Sequence, residues 1–316
     1  MEKKNIKSPI LLTITAAIWG LAFVAQSVGM EYVGPFTFNC TRNLIGALVL
    51  LPVIAVSDRL KKTKEAAKEQ KAEKQSAEEQ GAAQKGQERR GLLIAGLCCG
   101  TLLFISTSAQ QIGVQYTTVG KAGFITAIYI ILVPILGMFF HKKSGMLVWV
   151  SVVLAMIGFY FLTMVGEASF TKGDAFVLLC AFMFSGHILC VDHFAPLVDG
   201  VKLACLQFLV CGVWSGIAML IFETPAWSDI LAAWAPILYA GALSSGVGYT
   251  LQIIGQKNYN PTVAALIMSL ESVFSALAGW ALLGQSLSGT EVFGCVLIFA
   301  GIILAQIPKE WYAARS

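Results

Sequence analysis

Long apolar runs separated by short polar joints make up nearly the whole chain outside residues 57–90. A bilayer core of about 30 Å requires roughly 20 apolar residues in a helix that rises about 1.5 Å per residue. Continuous runs of that length favour membrane-spanning helices over the shorter strands of a barrel. The pattern predicts an all-α membrane protein with ten transmembrane helices, at 8–29, 35–56, 91–115, 118–140, 144–165, 173–195, 202–223, 232–254, 261–283 and 288–307.

Composition agrees with a membrane protein, and the distribution of charge predicts its orientation. Of the 316 residues 57% are hydrophobic and 13% are charged, whereas soluble domains carry about 25% charged residues. With the N-terminus placed inside, the predicted cytoplasmic segments hold 19 Lys and Arg residues, and the predicted external loops hold only Lys172. This bias predicts a multi-pass protein of the cell membrane with both termini cytoplasmic.

Residues 57–90 form the longest polar segment of the chain. Opposite charges recur four residues apart, as in Lys61 and Glu65, which supports a helix. No apolar stripe accompanies them, so the segment has no face to bury. We expect a solvated, partly helical cytoplasmic loop; contact of its basic flanks with anionic lipid is the alternative.

Two stretches of the chain repeat the same order of polar and small residues. Span three into four reads QQIGVQYTTVGKAGFITAIYIILVPIL, and span eight into nine reads LQIIGQKNYNPTVAALIMSLESVFSAL. When Gly113 is set on Gly255, Gln110 falls on Gln252. Matching polar positions are not expected by chance in apolar helices, which favours an internal repeat over coincidence.

The repeat extends over the whole chain and predicts two halves. IWGLAFVAQ in span one is similar to MFSGHILC in span six, and Arg42 falls near Gln207. We predict a first five-helix repeat at 1–165, which contains the 57–90 loop, and a second at 166–316. Because each half has an odd number of spans, the second enters the membrane from the other side, as in transporters whose site lies between inverted-topology repeats.

Span one contains AAIWGLAFV, and residues 248–306 begin GYTLQIIGQKNYNPTVAALIMSLESVFSALAGW. With the ten-span count, these stretches resemble the drug/metabolite transporter superfamily, in particular the EamA-domain family of the ten-helix type with two EamA repeats. The resemblance covers nearly all of the chain except 57–90. The sequence departs from the family pattern at Ser272, where proline is usual, and at Gln285, where an acidic residue is usual. Without the proline, we expect span nine to be straighter or less easily bent.

Polar residues inside the spans are the candidate binding residues, because they are costly in lipid and tend to face a cavity. Gln110 and Gln111 lie on one face of span three, with Thr107. A second polar face in span eight holds Tyr249 and Gln252, together with Ser245 and Gln256. Since Gln110 and Gln252 correspond under the repeat, we expect them on opposite walls of one cavity near mid-membrane; hydrogen bonds between helices are the alternative.

Aromatic side chains at similar depth are candidates for the apolar walls of a small-molecule pocket, with ordinary packing as the alternative. His187 lies well inside span six, where it either lines the cavity or is hydrogen-bonded, with simple packing as the alternative. The predicted substrate-binding residues are Trp19, Phe23, Gln110, Gln111, Tyr129, His187, Tyr249, Gln252 and Glu271.

Glu271 lies near the middle of the apolar span LIMSLESVFSALAGW. A charge at that depth costs at least about 2.5–3.5 kcal/mol, so the carboxyl must be paired, protonated or wetted. Arg42, Lys121 and His187 are the available partners. The carboxyl either locks spans four and nine together, which small residues in both predict to cross at the centre, or it binds a substrate amine or a proton.

These features predict a secondary transporter that moves a small organic metabolite, such as an amino-acid-like solute, by alternating access. The family resemblance implies outward transport. A membrane-embedded enzyme that acts on lipid and a passive channel are the alternatives. No catalytic motif is present, and the eight cysteines are expected to be buried and unpaired. We expect a small-molecule substrate and the lipid bilayer as partners, no cofactor, metal or nucleic acid, and a monomer or homodimer.

Overall fold

The computed structural model describes residues 7–69, 78–117, 119–142, 144–163, 170–283 and 288–307. Within these ranges the secondary structure is helical. The first half contains α1 (Lys7–Gly29), α2 (Pro35–Glu69), α3 (Glu78–Val114), α4 (Val119–Ala127), α5 (Tyr129–Phe139) and α6 (Met146–Thr163). The second contains α7 (Lys172–Phe194), α8 (Gly200–Phe222), α9 (Trp227–Ala232), α10 (Trp234–Leu238), a π-helix (Tyr239–Tyr249), α11 (Thr250–Gln256), α12 (Pro261–Met268), α13 (Leu270–Leu283) and α14 (Gly289–Ala305).

The helices fall where the apolar runs predict membrane spans. Among the described residues, eight segments are long and apolar enough to cross a membrane, and the shorter apolar helices α6 and α14 occupy the predicted fifth and tenth positions. The chain is therefore a multi-pass all-α membrane protein. The helices of spans two and three continue into the charged segment. The side chains of residues 61–86 are not among those that the structure describes. The boundary at 165 also falls outside the described residues.

Packing between the two halves follows a two-fold pattern. α2 packs on α8 and α6 packs on α14, each helix against its own counterpart. The packing of α1 on α13 has its mate in the packing of α7 on α4 and α5. Likewise, the contact of α1 with the π-helix and α11 matches the contact of α7 with α3. The contact of α3 with α8 matches that of the π-helix with α2. Two five-helix repeats of inverted topology produce this arrangement.

The two-fold relation between the halves is also seen in the close contacts of single glycine residues. A Cβ on Gly158 of α6 would lie 2.7 Å from the carbonyl oxygen of Gly294 in α14, and a Cβ on Gly301 of α14 would lie 2.8 Å from the carbonyl oxygen of Ser151 in α6. Gly158 is equivalent to Gly301 and Ser151 is equivalent to Gly294, because the same number of residues separates the members of each pair. Both crossings require the absence of a side chain at the same position of each repeat.

The crossing of α3 on α8 is repeated where the π-helix crosses α2. A Cβ on Gly100 would lie 2.8 Å from the carbonyl oxygen of Gln207, and one on Gly241 would lie 2.9 Å from that of Arg42. Arg42 and Gln207 are thus equivalent positions. Polar contacts at the two ends of the α2–α8 pair are related by the same repeat alignment. At one end Lys202 binds Asp58 at 2.8 Å. At the other end the carboxylate of Glu223 accepts hydrogen bonds from Phe36 N and Thr37 N at the start of α2.

The π-helix arises from one additional residue in span eight. Ten positions separate Gly100 from Gln110 in α3, whereas eleven separate their equivalents, Gly241 and Gln252. The π-helix Tyr239–Tyr249 lies between the second pair, and its wider turn absorbs the extra residue without changing either end.

Span nine is interrupted directly before Glu271, although it lacks the proline. α12 ends at Met268 and α13 begins at Leu270, with Ser269 between them. The hydroxyl of Ser269 donates to Leu266 O at 2.7 Å, and Ser272 N bonds Ser269 O in place of a regular α-helical partner. This break falls where a serine hydroxyl competes for a backbone carbonyl, and the straightness of span nine relative to the family stays a prediction.

Spans four and nine do meet, but the closest crossing of span nine is with α1. A Cβ on Gly20 would lie 2.7 Å from the carbonyl oxygen of Glu271 and 2.9 Å from Ser275 N, whereas one on Gly123 would lie 3.6 Å from the Ser272 hydroxyl. The small residues of span nine serve mainly this α1–α13 contact.

Candidate functional site

A cavity lies where the two halves meet, lined by side chains from both repeats. The space among these side chains, counted together with the solvent to which it opens, amounts to about 520 Å³. Five two-fold-related pairs contribute to its wall: Trp19 and Phe184, Phe23 and Ile188, Gln110 and Gln252, Thr126 and Met268, and Tyr129 and Glu271. The cavity therefore lies on the pseudo-two-fold axis.

Seven of the nine predicted binding residues line this cavity, namely Trp19, Phe23, Gln110, Tyr129, Tyr249, Gln252 and Glu271. Gln111 and His187 do not. Gln111 follows Gln110 by one residue and is turned about 100° away, where its amide donates to Gln26 O at 3.5 Å. His187 lies behind the wall, hydrogen-bonded to the Gln207 side chain at 3.1 Å.

The two glutamines lie at different depths on the cavity wall. Gln110 is in the last turns of α3, close to the face where α7 begins, and Gln252 is in the last turns of α11, close to the face where α1 begins. Inverted topology places equivalent residues at mirrored depths, and both side chains reach the same cavity. Both are buried, and Gln252 Oε1 has no hydrogen-bond partner.

Glu271 faces its own symmetry mate across the axis. The Tyr129 hydroxyl donates to Glu271 Oε1 at 3.5 Å, and both side chains are at least 90% buried. Among the described residues, neither Arg42 nor His187 forms an ion pair with Glu271. The Lys121 side chain lies outside the described ones. A carboxyl with one long hydrogen bond retains most of its acceptor capacity for a group in the cavity.

Arg42 also lines the cavity, as a binding residue that sequence analysis considered only as a partner of Glu271. Its side chain is 4% exposed, and its Nε has no hydrogen-bond partner. The guanidinium carbon lies 5.7 Å from the centroid of the Phe38 ring, a contact that offsets part of the cost of burying a cation.

The π-helix changes which residues of span eight reach the cavity. Ser244 lines the cavity, and the predicted Ser245 does not. Ser244 precedes Tyr249 by five residues, the spacing of a π-helix, whereas Ser245 precedes it by four. Trp19 packs on Tyr249 with ring centroids 4.6 Å apart, and its indole N–H donates to Ser244 O at 3.3 Å. The other missed wall residues are Ala22, Gln26, Phe184, Ile188, Thr126 and Met268. The last four are symmetry mates of predicted residues or of each other, and the repeat alignment contains that information.

Comparison with known proteins agrees with this architecture. An "Uncharacterized transporter" of Archaeoglobus fulgidus is 28% identical over 311 residues, covering 96% of this chain and 87% of the relative. An "Uncharacterized transporter" of Clostridium kluyveri is 22% identical over 314 residues, covering 94% of this chain and 92% of the relative. A solved crystal structure matches with a TM-score of 0.70 at 16% identity, covering 94% of this chain and 96% of the other, which shows a shared fold.

The sequence profile of the EamA-like transporter family matches the chain twice, over residues 7–164 and 171–306. The two matches correspond to the two halves that pack about the pseudo-two-fold axis. Together they cover nearly all of the described chain, and the chain belongs to the EamA-like transporter family.

Proposed function

We propose that the protein is a secondary transporter of the cell membrane that moves a small, amino-acid-like solute by alternating access. Outward transport is part of the proposal and follows from the family resemblance. Both termini are placed in the cytoplasm, from the distribution of Lys and Arg. The observation that carries the proposal is Glu271, a carboxyl on the symmetry axis and on the wall of the cavity.

A charge on this buried carboxyl would lower stability, which favours a functional role. An intramembrane charge costs at least about 2.5–3.5 kcal/mol, and a single long bond from Tyr129 compensates little of that cost. A group retained at such expense is suited to bind a solute amine or to exchange a proton during the cycle. The aromatic wall of Trp19, Phe23 and Tyr249 is suited to an apolar part of the same solute.

The closed side of the cavity supports a cycle of opening and closing. Toward the face where α1 begins, every residue of α12 is buried, and Leu12, Ala16, Ile130 and Val133 pack into the same apolar cluster. An inverted repeat contains a second, symmetry-related packing of its halves. Exchange between the two packings would expose the cavity to each side in turn.

A flux assay on reconstituted protein tests the proposal. A thermal-shift screen of purified protein against the twenty protein amino acids selects solutes, and their radiolabelled forms are then followed in proteoliposomes. The expected result is saturable uptake that is stimulated by unlabelled solute on the other side. Flux that rises linearly with concentration would indicate a channel, and chemical alteration of the solute an enzyme; either overturns the proposal.

Glu271→Gln tests the residue on which the proposal rests. The amide keeps the size and can still bond Tyr129, so we expect normal folding and flux at least about tenfold lower, equivalent to about 1.4 kcal/mol. Glu31→Gln, an exposed carboxylate exchanged in the same way, serves as the matched control. Near wild-type flux in Glu271→Gln would show that the carboxyl only fastens helices.

A further inference from the structure

We infer that Arg42 is the binding residue for a carboxylate of the transported solute, so that the substrate class carries both an amine and a carboxylate. This inference rests on the proposed transport function. It assigns Glu271 and Arg42, both on the wall of one cavity, to the two opposite charges of a zwitterion.

The state of the Arg42 side chain points to a ligand. The side chain is 4% exposed, its Nε has no hydrogen-bond partner, and it forms no ion pair with any described carboxylate. Its contact with the Phe38 ring does not provide a hydrogen-bond acceptor for Nε. A guanidinium cannot release its proton to escape this cost, and an anion bound in the cavity would compensate the charge.

The symmetry-related position shows that the helix packing does not require a cation here. Gln207 occupies the position of Arg42 in the second repeat, and its carbonyl makes the same glycine crossing. Its side chain is neutral, fully buried and hydrogen-bonded to His187, and it does not line the cavity. A neutral side chain is thus compatible with the packing of the same helix pair. Arg42 differs from Gln207 because it places a charge at the cavity.

The chemistry of the wall favours a carboxylate over a dianionic phosphate. A guanidinium binds a carboxylate through two parallel N–H bonds and neutralises one negative charge. Arg42 is the only Lys or Arg among the described residues of the wall, and Glu271 on the same wall disfavours a second negative charge. The buried amides of Gln110 and Gln252 supply further neutral donors and acceptors.

Wild-type protein tests the inference without a mutation. In proteoliposomes, the best-transported amino acid is compared with its methyl ester and its decarboxylated amine, each as a competitor of the labelled amino acid. We expect both analogues to compete at least about tenfold less well. Equal competition by the analogues would overturn carboxylate recognition while leaving transport established, whereas absence of flux for every amino acid would overturn the proposed function itself.

Arg42 is then exchanged to separate binding from folding. Arg42→Lys keeps the charge without the planar fork, and Arg42→Gln copies the second repeat; Arg90→Gln, at an exposed position, is the control. We expect KM for the amino acid to rise at least about tenfold in Arg42→Gln and less in Arg42→Lys, with residual flux of the decarboxylated amine unchanged. Equal loss for both solutes would assign Arg42 a structural role. If Arg42→Gln does not fold, Arg42→Lys and the analogue series decide.

Discussion

Equivalent positions of the two repeats carry different chemistry, and the differences concentrate at the cavity. Tyr129 faces Glu271 across the axis, and Arg42 in one repeat is replaced by Gln207 in the other. The apolar and small residues of each repeat fold the same five helices, while these few polar exchanges make the wall of the cavity asymmetric. A solute with two unlike ends requires such a wall.

The Tyr129 hydroxyl is the one described side chain that hydrogen-bonds Glu271. Tyr129→Phe removes this bond and retains the ring, and one hydrogen bond contributes about 1 kcal/mol. We therefore expect flux to fall about fivefold, less than in Glu271→Gln, and the melting temperature in detergent to fall slightly. A loss as large as that of Glu271→Gln would show that the hydroxyl contacts the solute directly.

Helix crossings at glycine hold the repeats together at the element scale. Gly158 and Gly301 contact backbone carbonyls of the opposite helix in the α6–α14 pair. Because the two contacts are related by symmetry, a side chain at either position meets the same obstacle. The π-helix is the exception to the symmetry, since its additional residue has no equivalent in α3 and brings Ser244 to the cavity.

Alanine substitutions measure these crossings. In Gly158→Ala and Gly301→Ala the new methyl group would meet a carbonyl oxygen, and overpacking costs about 1–3 kcal/mol. We expect both to lower the melting temperature by similar amounts. Gly91 has open space around its Cβ position, so Gly91→Ala should be neutral or stabilising through helix propensity. Unequal effects of the two crossing variants would contradict the symmetry of the pair.

Relative motion of the two halves is the whole-molecule event that the proposed cycle requires. Cys99 in α3 and Cys190 in α7 belong to different halves, and their sulfur atoms lie 3.3 Å apart. Copper–phenanthroline should oxidise this pair to a disulfide, detectable as a cross-linked peptide, since a small shift reaches the bond length of about 2.05 Å. We expect flux to stop on oxidation and to return with dithiothreitol, with Cys99→Ser insensitive. Unchanged flux in cross-linked protein would show that α3 and α7 move as one body.

The charged segment 57–90 has no apolar stripe with which to pack on the two halves. Deletion of 63–86 removes a segment without an apolar stripe, so nothing buried is lost on its removal. We expect the deletion variant to insert, to melt at the wild-type temperature and to transport within about twofold of wild type. Loss of insertion or flux would assign the segment a role in folding or regulation.

Hydropathy and charge were sufficient to predict the helical membrane fold, the positions of the spans and the repeat, because the bilayer imposes the same length and apolarity on every crossing segment. The repeat alignment also paired Gln110 with Gln252 and Arg42 with Gln207, since residues that occupy equivalent positions meet equivalent neighbours. These inferences need only local pattern and chain order.

Only the tertiary structure determined which polar helix faces meet. Ser244 replaces Ser245 at the cavity because the π-helix changes the angle between successive side chains, and apolar periodicity cannot register one additional residue inside a continuous run. Glu271 bonds Tyr129 rather than Arg42 because inverted topology brings equivalent residues together on the axis. His187 bonds Gln207 and does not line the cavity, and this depends on contacts between helices that no segment of the sequence encodes by itself.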